Sequence, residues 1–198
     1  MKNLSDTMII TFIRHSKSLV NPAIPITTWG LSEEGVMLAK KLQSLEQIKS
    51  LDVIYASLQP KALETAILAT KNMGIPIKTD NRLTETTSFT NRFVNLSQLQ
   101  ENTKKYFASK HVSINQGETA EEAFTRFNEA LHEIVATDKE RSNIGIVSHG
   151  NILADFAARY LSIDSYELVE KIRQPDVAVF DWRKKEFIHN FGEFTHKD

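Results

Sequence analysis

Two short apolar runs that stop abruptly at polar residues constrain this chain most. The first is Ile9-Ile10-Thr11-Phe12-Ile13, followed at once by Arg14-His15-Ser16. The second is Ile144-Gly145-Ile146-Val147, followed by Ser148-His149-Gly150. Each reads as a short buried strand that delivers a polar residue at its carboxyl end. In open α/β sheets, ligands bind just outside the carboxyl ends of the strands. The two runs therefore predict one site where an arginine and two histidines meet. Such a site can grip an anion and attack it.

The rest of the chain fits that frame. A strand at 8–13 leads into a polar loop over 14–30, with prolines at 22 and 25. Ser32 before Glu33, Glu34 and Gly35 marks a helix start with acidic residues in its first turn. Val36, Ala39, Leu42, Leu45 and Ile48 carry one apolar face at helical spacing. Asp52–Ala56 reads as a second strand, and a helix runs from about Lys61 to Asn72 before Gly74. Ile75-Pro76-Ile77-Lys78 is a short edge-like strand, because proline cannot donate to a ladder.

Residues 84–116 are the least regular part, rich in Thr, Asn, Ser and Gln, with Phe89, Phe93, Tyr106 and Phe107 interspersed. They are too long for an ordinary connection and predict a partly helical cap insertion over one end of the sheet. An amphipathic helix follows, with Ala123, Phe124, Phe127, Ala130, Leu131, Ile134 and Val135 on one face. After the strand ending at His149 come a helix over about 151–160 and two strands, 177–182 and 186–188. Alternating strands and helices predict an α/β fold with a doubly wound, mostly parallel sheet flanked by helices. With 198 residues and 41% hydrophobic content, the chain fits a single domain, 1–198, with a real core.

Charge and cysteine content remove several function classes. A formal net charge of −1 offers no general surface for nucleic acid or membrane. The absence of cysteine removes disulfides, thiolate metal sites and cysteine catalysis together. The polar start Met1–Asp6 is no secretory segment, and no long apolar span follows. A soluble cytoplasmic protein is the expectation.

Residue types narrow the chemistry. Arginine presents a permanently charged planar fork that matches phosphate oxygens. Histidine can act as a nucleophile and titrates near neutrality. At this point the sequence resembles the histidine phosphatase superfamily, the phosphoglycerate mutase-like family. Its Arg-His-Gly-x-Thr signature is matched by Arg14-His15-Ser16-Lys17-Ser18, with Asn21 slightly further on. Its second block is matched by Asp52-Val53-Ile54-Tyr55-Ala56-Ser57 and by Pro60-Lys61-Ala62-Leu63-Glu64-Thr65-Ala66. Leu31-Ser32-Glu33-Glu34-Gly35, Glu85, Gly117-Glu118-Thr119 and Val147-Ser148-His149-Gly150 follow in the family's order.

The resemblance implies a phosphomonoesterase working through a phosphohistidine on His15. Arg14, His149, Asn21 and Lys61 would hold the non-bridging oxygens, with Gly150 beside them. Glu85 would act as general acid and then as general base. No cofactor or metal is required, because the cations are side chains. The expected partner is a small-molecule phosphate ester, not nucleic acid or membrane; a homodimer stays open. Two residues depart from the family pattern. Ser16 replaces a glycine, and its hydroxyl would either crowd the backbone or reach the phosphate. Lys61 replaces an arginine and loses the bidentate fork.

Phosphoglycerate mutase-type transfer and a catalytically impaired phosphate-binding regulator are the alternatives. Arg82 and Arg92 read as solvated loop residues, the alternative being contact with a second anionic group of the substrate. His111, His132, His189 and His196 lack motif context and read as surface residues. The 86–116 segment suits sugar phosphates, nucleotides or phosphopeptides equally. A neutral nucleophile and a protonated acid predict an optimum from mildly acidic to neutral pH.

Overall fold

The computed structural model describes residues 7–89 and 93–193. Met1–Asp6, Arg92 and His196 lie outside the described residues. Six strands form one sheet in the order β3-β2-β4-β1-β5-β6. They are β1 (Ile9–Arg14), β2 (Val53–Ala56), β3 (Ile77–Thr79), β4 (Asn143–Ser148), β5 (Asp176–Asp181) and β6 (Glu186–His189). The pairs β1/β4, β2/β4 and β2/β3 are parallel, while β1/β5 and β5/β6 are antiparallel. The sheet is therefore mixed, with a parallel centre and an antiparallel flank.

The two faces of β1 bury different layers, as a period of two requires. Ile10 and Phe12 join the core under α5 (Ala120–Thr137) and α6 (Gly150–Leu161). Ile13 joins the opposite core, with Ala62, Ala66 and Ala69 of α3 (Pro60–Ala69). The small side chains of α3 allow this close packing, as their spacing predicts. Helices thus cover both faces of the central strands, the condition for a parallel sheet.

Two local features differ from the sequence expectations. The helix over 33–48 is broken: α1 (Glu33–Lys41) passes into a 3₁₀ turn at 42–44, then α2 (Glu46–Lys49). Ser44 Oγ donates to the Lys41 carbonyl and Leu45 is extended, so the chain leaves the helix while Leu42 and Ile48 stay buried. A short helix α7 (Ser165–Lys171) was not foreseen; Asp164 caps it by accepting from the Glu167 N–H. Within 84–116, the described residues form a 3₁₀ turn at 87–89 and one helix, α4 (Leu96–Ala108). Tyr106 and Phe107 of α4 pack with Phe89 and Ala120 in a small core of their own. Among the described residues, no helix is long and apolar enough to cross a membrane.

Candidate active site

Strand register builds the site. Arg14 pairs with Ser148 in the parallel β1/β4 ladder, so the next residues, His15 and His149, emerge side by side. The His15 N–H extends the ladder by donating to the Ser148 carbonyl at 2.9 Å. The two imidazole rings lie 5.0 Å apart, centroid to centroid, tilted by 60°. Both are buried.

His15 Nδ1 lies 2.7 Å from its neighbour's carbonyl, Ser16 O. A carbonyl can only accept, so Nδ1 carries the ring proton. The neutral ring then keeps its lone pair on Nε2. Burial, reinforced by the charges of Lys61 and Arg14, pushes the His15 pKa down to about 3. The nucleophile is therefore neutral throughout the physiological range. Burial and the neighbouring His15 likewise hold the His149 pKa well below its usual range.

Cations flank the pair. Arg14 Nη1 donates to the Ile172 carbonyl at 2.5 Å, while its buried Nε has no partner. Lys61 at the start of α3 is almost fully buried, its Nζ 6.0 Å from the Trp29 ring and 3.3 Å from the Ile26 carbonyl. Desolvation brings its pKa down to about 8, with Glu85 opposing the change and Arg14 adding to it. His149 Nε2 meets Ser57 Oγ at 2.9 Å, and its buried Nδ1 is unpartnered. Buried nitrogens rarely lack partners. Here two do, on side chains lining the same cavity of about 540 Å³.

Glu85 sits across the cavity at the N-terminus of α6. Its Oε2 accepts from the Asn151 N–H at 3.0 Å and Nδ2 at 3.2 Å; its Oε1 accepts from the Thr86 and Ile152 N–H groups. Among the described residues, Glu85 is the only carboxylate lining the cavity.

A sequence profile now decides the family. That of the histidine phosphatase superfamily, branch 1, matches residues 10–188. The chain belongs to the histidine phosphatase superfamily. No curated protein matches it significantly. Solved structures share its fold at low identity. Bacillus stearothermophilus YhfR superposes with a TM-score of 0.73 at 22% identity, covering 96% of this chain and 98% of that one. A mycobacterial glucosyl-3-phosphoglycerate phosphatase gives 0.72 at 17%, covering 87% and 89%. The alpha-ribazole phosphatase from Shigella flexneri gives 0.68 at 19%, covering 93% and 95%.

In this histidine phosphatase the sequence-selected residues divide into two groups. Arg14, His15, Lys61, Glu85, His149 and Gly150 all line one cavity. Asn21 and Ser16 do not. Asn21 is exposed, and its Oδ1 accepts from the Ala23 N–H in the turn that Pro22 imposes. Its carbonyl accepts from the Trp29 indole N–H at 3.0 Å. The Ser16 hydroxyl donates to the Gly35 carbonyl at 2.7 Å, so it braces the loop against α1 instead of reaching into the cavity. Ser16 has an ordinary backbone conformation, so its Cβ causes no strain.

Supporting residues were less legible in the sequence. Thr65 accepts from the Ser16 N–H and donates to the Lys61 carbonyl, tying the nucleophile's loop to α3. Its place in the Lys61–Ala66 block was the available signal. The Ile172 carbonyl that holds Arg14 carried none, because a backbone acceptor is invisible to residue type.

Gly150 serves Arg14. A Cβ at position 150 would lie 2.8 Å from Arg14 Cζ and Nη2. The guanidinium, at the end of a flexible side chain, must then move. Gly150→Ala is expected to weaken phosphate binding about 10- to 100-fold, the worth of one charge-assisted hydrogen bond. The inhibition constant of inorganic phosphate measures it.

Proposed function

We propose that this chain is a phosphomonoesterase that works through a phosphohistidine on His15. The observation that carries the reading is the His15 ring itself. Its tautomer is set by Ser16 O, its charge is suppressed, and it stands between Arg14 and Lys61 with His149 alongside. Nε2 attacks the ester phosphorus, an N–P bond forms, and the P–O bond to the alcohol breaks. Glu85 gives its proton to the departing oxygen. Water then attacks the phosphohistidine, Glu85 takes a proton back, and phosphate leaves with His15 neutral again.

The residues suit the demands of each step. Phosphoryl transfer needs fixed positive charge and hydrogen-bond donors around the equatorial oxygens; Arg14 and Lys61 supply the charge, and the neutral His149 ring supplies a donor through its unpartnered Nδ1. A covalent intermediate replaces one difficult displacement with two easier ones. The departures from the family pattern do not favour the impaired-binder alternative. Lys61 reaches the cavity, and Ser16 is accommodated without strain.

The test is phosphate release from phosphomonoesters in the presence of a metal chelator, with acid-labile, alkali-stable phosphate trapped on the chain during turnover. Turnover without any trapped phosphohistidine, or turnover abolished by chelation, would overturn the mechanism.

Lys61 gives the pH dependence a sign. Its positive charge is lost as pH rises through about 8. The rate constant kcat/KM, which reports the free enzyme, is expected to fall about tenfold per pH unit above that point. Lys61→Arg should carry the alkaline limb to higher pH, because arginine keeps its charge. The same lysine costs stability. Its folded value of about 8 against an ordinary 10.5 corresponds to roughly 3 kcal/mol at neutral pH. The unfolded chain binds more protons between those values, so this penalty disappears as pH rises through the window. Lys61→Met is expected to melt higher than the wild type while losing activity.

A further inference from the structure

We infer that the substrates are monophosphate esters of apolar alcohols, an alkyl or aryl group carrying the phosphate. This rests on the phosphatase reading and adds to it what fills the cavity above the phosphate. The floor is cationic, and the walls are not. Trp29, Phe89, Phe93, Val94, Leu96 and Leu99 line the far side, and Val20 and Ile26 close the near side. Leu96 is 70% exposed and Leu99 37%, on the first turns of α4, while Tyr106 and Phe107 of the same helix are buried beneath. A helix that turns two leucines three residues apart into an open cavity leaves apolar area for a ligand to cover.

The polar lining points the same way. Among the described residues, the basic side chains lining the cavity besides the histidines are Arg14, Lys17 and Lys61. Arg14 and Lys61 belong to the phosphate. Lys17 Nζ pairs with Glu34 Oε1 at 2.5 Å, with both side chains about half exposed. Arg82 lies outside the cavity and is bound to Asp80 and Glu133. Sugar hydroxyls would find few partners: Asn151 Nδ2 donates to Glu85, and Ser18 and Gln174 are the other uncharged polar side chains among the described lining residues. Polar groups placed against such walls are left unpaired, at a cost in binding. A cavity of about 540 Å³ accommodates a group of about ten heavy atoms.

The test uses two homologous series on the intact chain. The n-alkyl phosphates from methyl to octyl share nearly the same leaving-group acidity, so differences in kcat/KM report the walls. The matching n-alkylphosphonates cannot be hydrolysed, so calorimetry reads binding without catalysis. Both series are expected to improve about two- to fourfold per methylene until the cavity is full, and hexyl phosphate to outrun 3-phosphoglycerate and glucose 6-phosphate. Leu99→Ser and Leu96→Ser sit on exposed positions and should flatten the chain-length dependence more than they weaken methylphosphonate. A flat series, or a preference for 3-phosphoglycerate or glucose 6-phosphate, overturns the proposal. Phosphonates that tighten with length while no ester is turned over would uphold the apolar walls and sink the hydrolase reading instead.

Discussion

His15→Ala is expected to remove turnover almost entirely, a fall of about 10⁴- to 10⁶-fold in kcat, the range seen when a catalytic nucleophile is deleted. Nothing else described in the cavity can replace it. His149 stands 5.0 Å away; with Ser57 Oγ donating to its Nε2, its Nδ1 bears the ring proton and has no lone pair to attack with. Arg14 and Lys61 lack a lone pair while charged. A variant that keeps more than a hundredth of wild-type activity would remove His15 from the covalent step.

The same substitution has a signature in stability. Native His15 takes up a proton only near pH 3, whereas an ordinary histidine does so near 6.5. Between those values the unfolded chain binds more protons than the native one. Stability is therefore complete above about 6.5 and is lost as pH falls towards 3, at up to about 1.4 kcal/mol per pH unit for this group. Removing His15 should make the acid side of the stability curve shallower. Urea denaturation of both proteins at pH 7 and pH 5 measures it. An identical loss in the two would mean that His15 is not the group responsible.

Glu85→Gln is expected to lower kcat for alkyl esters by about 10²- to 10⁴-fold, the usual worth of a general acid. The carboxylate has a second duty that must be separated from the first. Its two oxygens accept four hydrogen bonds, three of them from Asn151 and Ile152 at the start of α6. Glutamine keeps one oxygen and turns an NH₂ towards N–H groups, which costs about 1–3 kcal/mol of stability. Leaving-group dependence distinguishes the two roles. An aryl ester expels a weakly basic oxygen and needs less protonation, so its rate should fall far less than that of an alkyl ester. Equal losses for both would mean that Glu85 only anchors the helix.

Much of this protein is readable along the chain. The β-branched runs ending in Arg14 and Ser148-His149 specify strands by composition, and the small face of α3 specifies a tight helix–sheet contact. Strand ends and residue type mark Arg14, His15 and His149, and the family resemblance adds Glu85 and Lys61. The reading fails where a residue type has two local uses. Asn21 beside Pro22 serves a turn, and the Ser16 hydroxyl finds the Gly35 carbonyl before it can reach a phosphate. It also fails at the helix break near Leu45, where periodicity persists through a change of backbone.

Sequence alone determined that strand ends present Arg14, His15 and His149, since this follows from residue type and hydrophobic pattern, and its resemblance to a family pointed to Glu85 and Lys61. Tertiary structure decided their state. Register between β1 and β4, strands separated by more than a hundred residues, set the two histidines side by side. Burial, a property of the assembled layers, kept His15 neutral and made Lys61 easier to discharge. Packing of α4 against Phe89 turned Leu96 and Leu99 into the cavity walls. Each of these depends on distances between residues far apart in the chain, which local pattern does not encode.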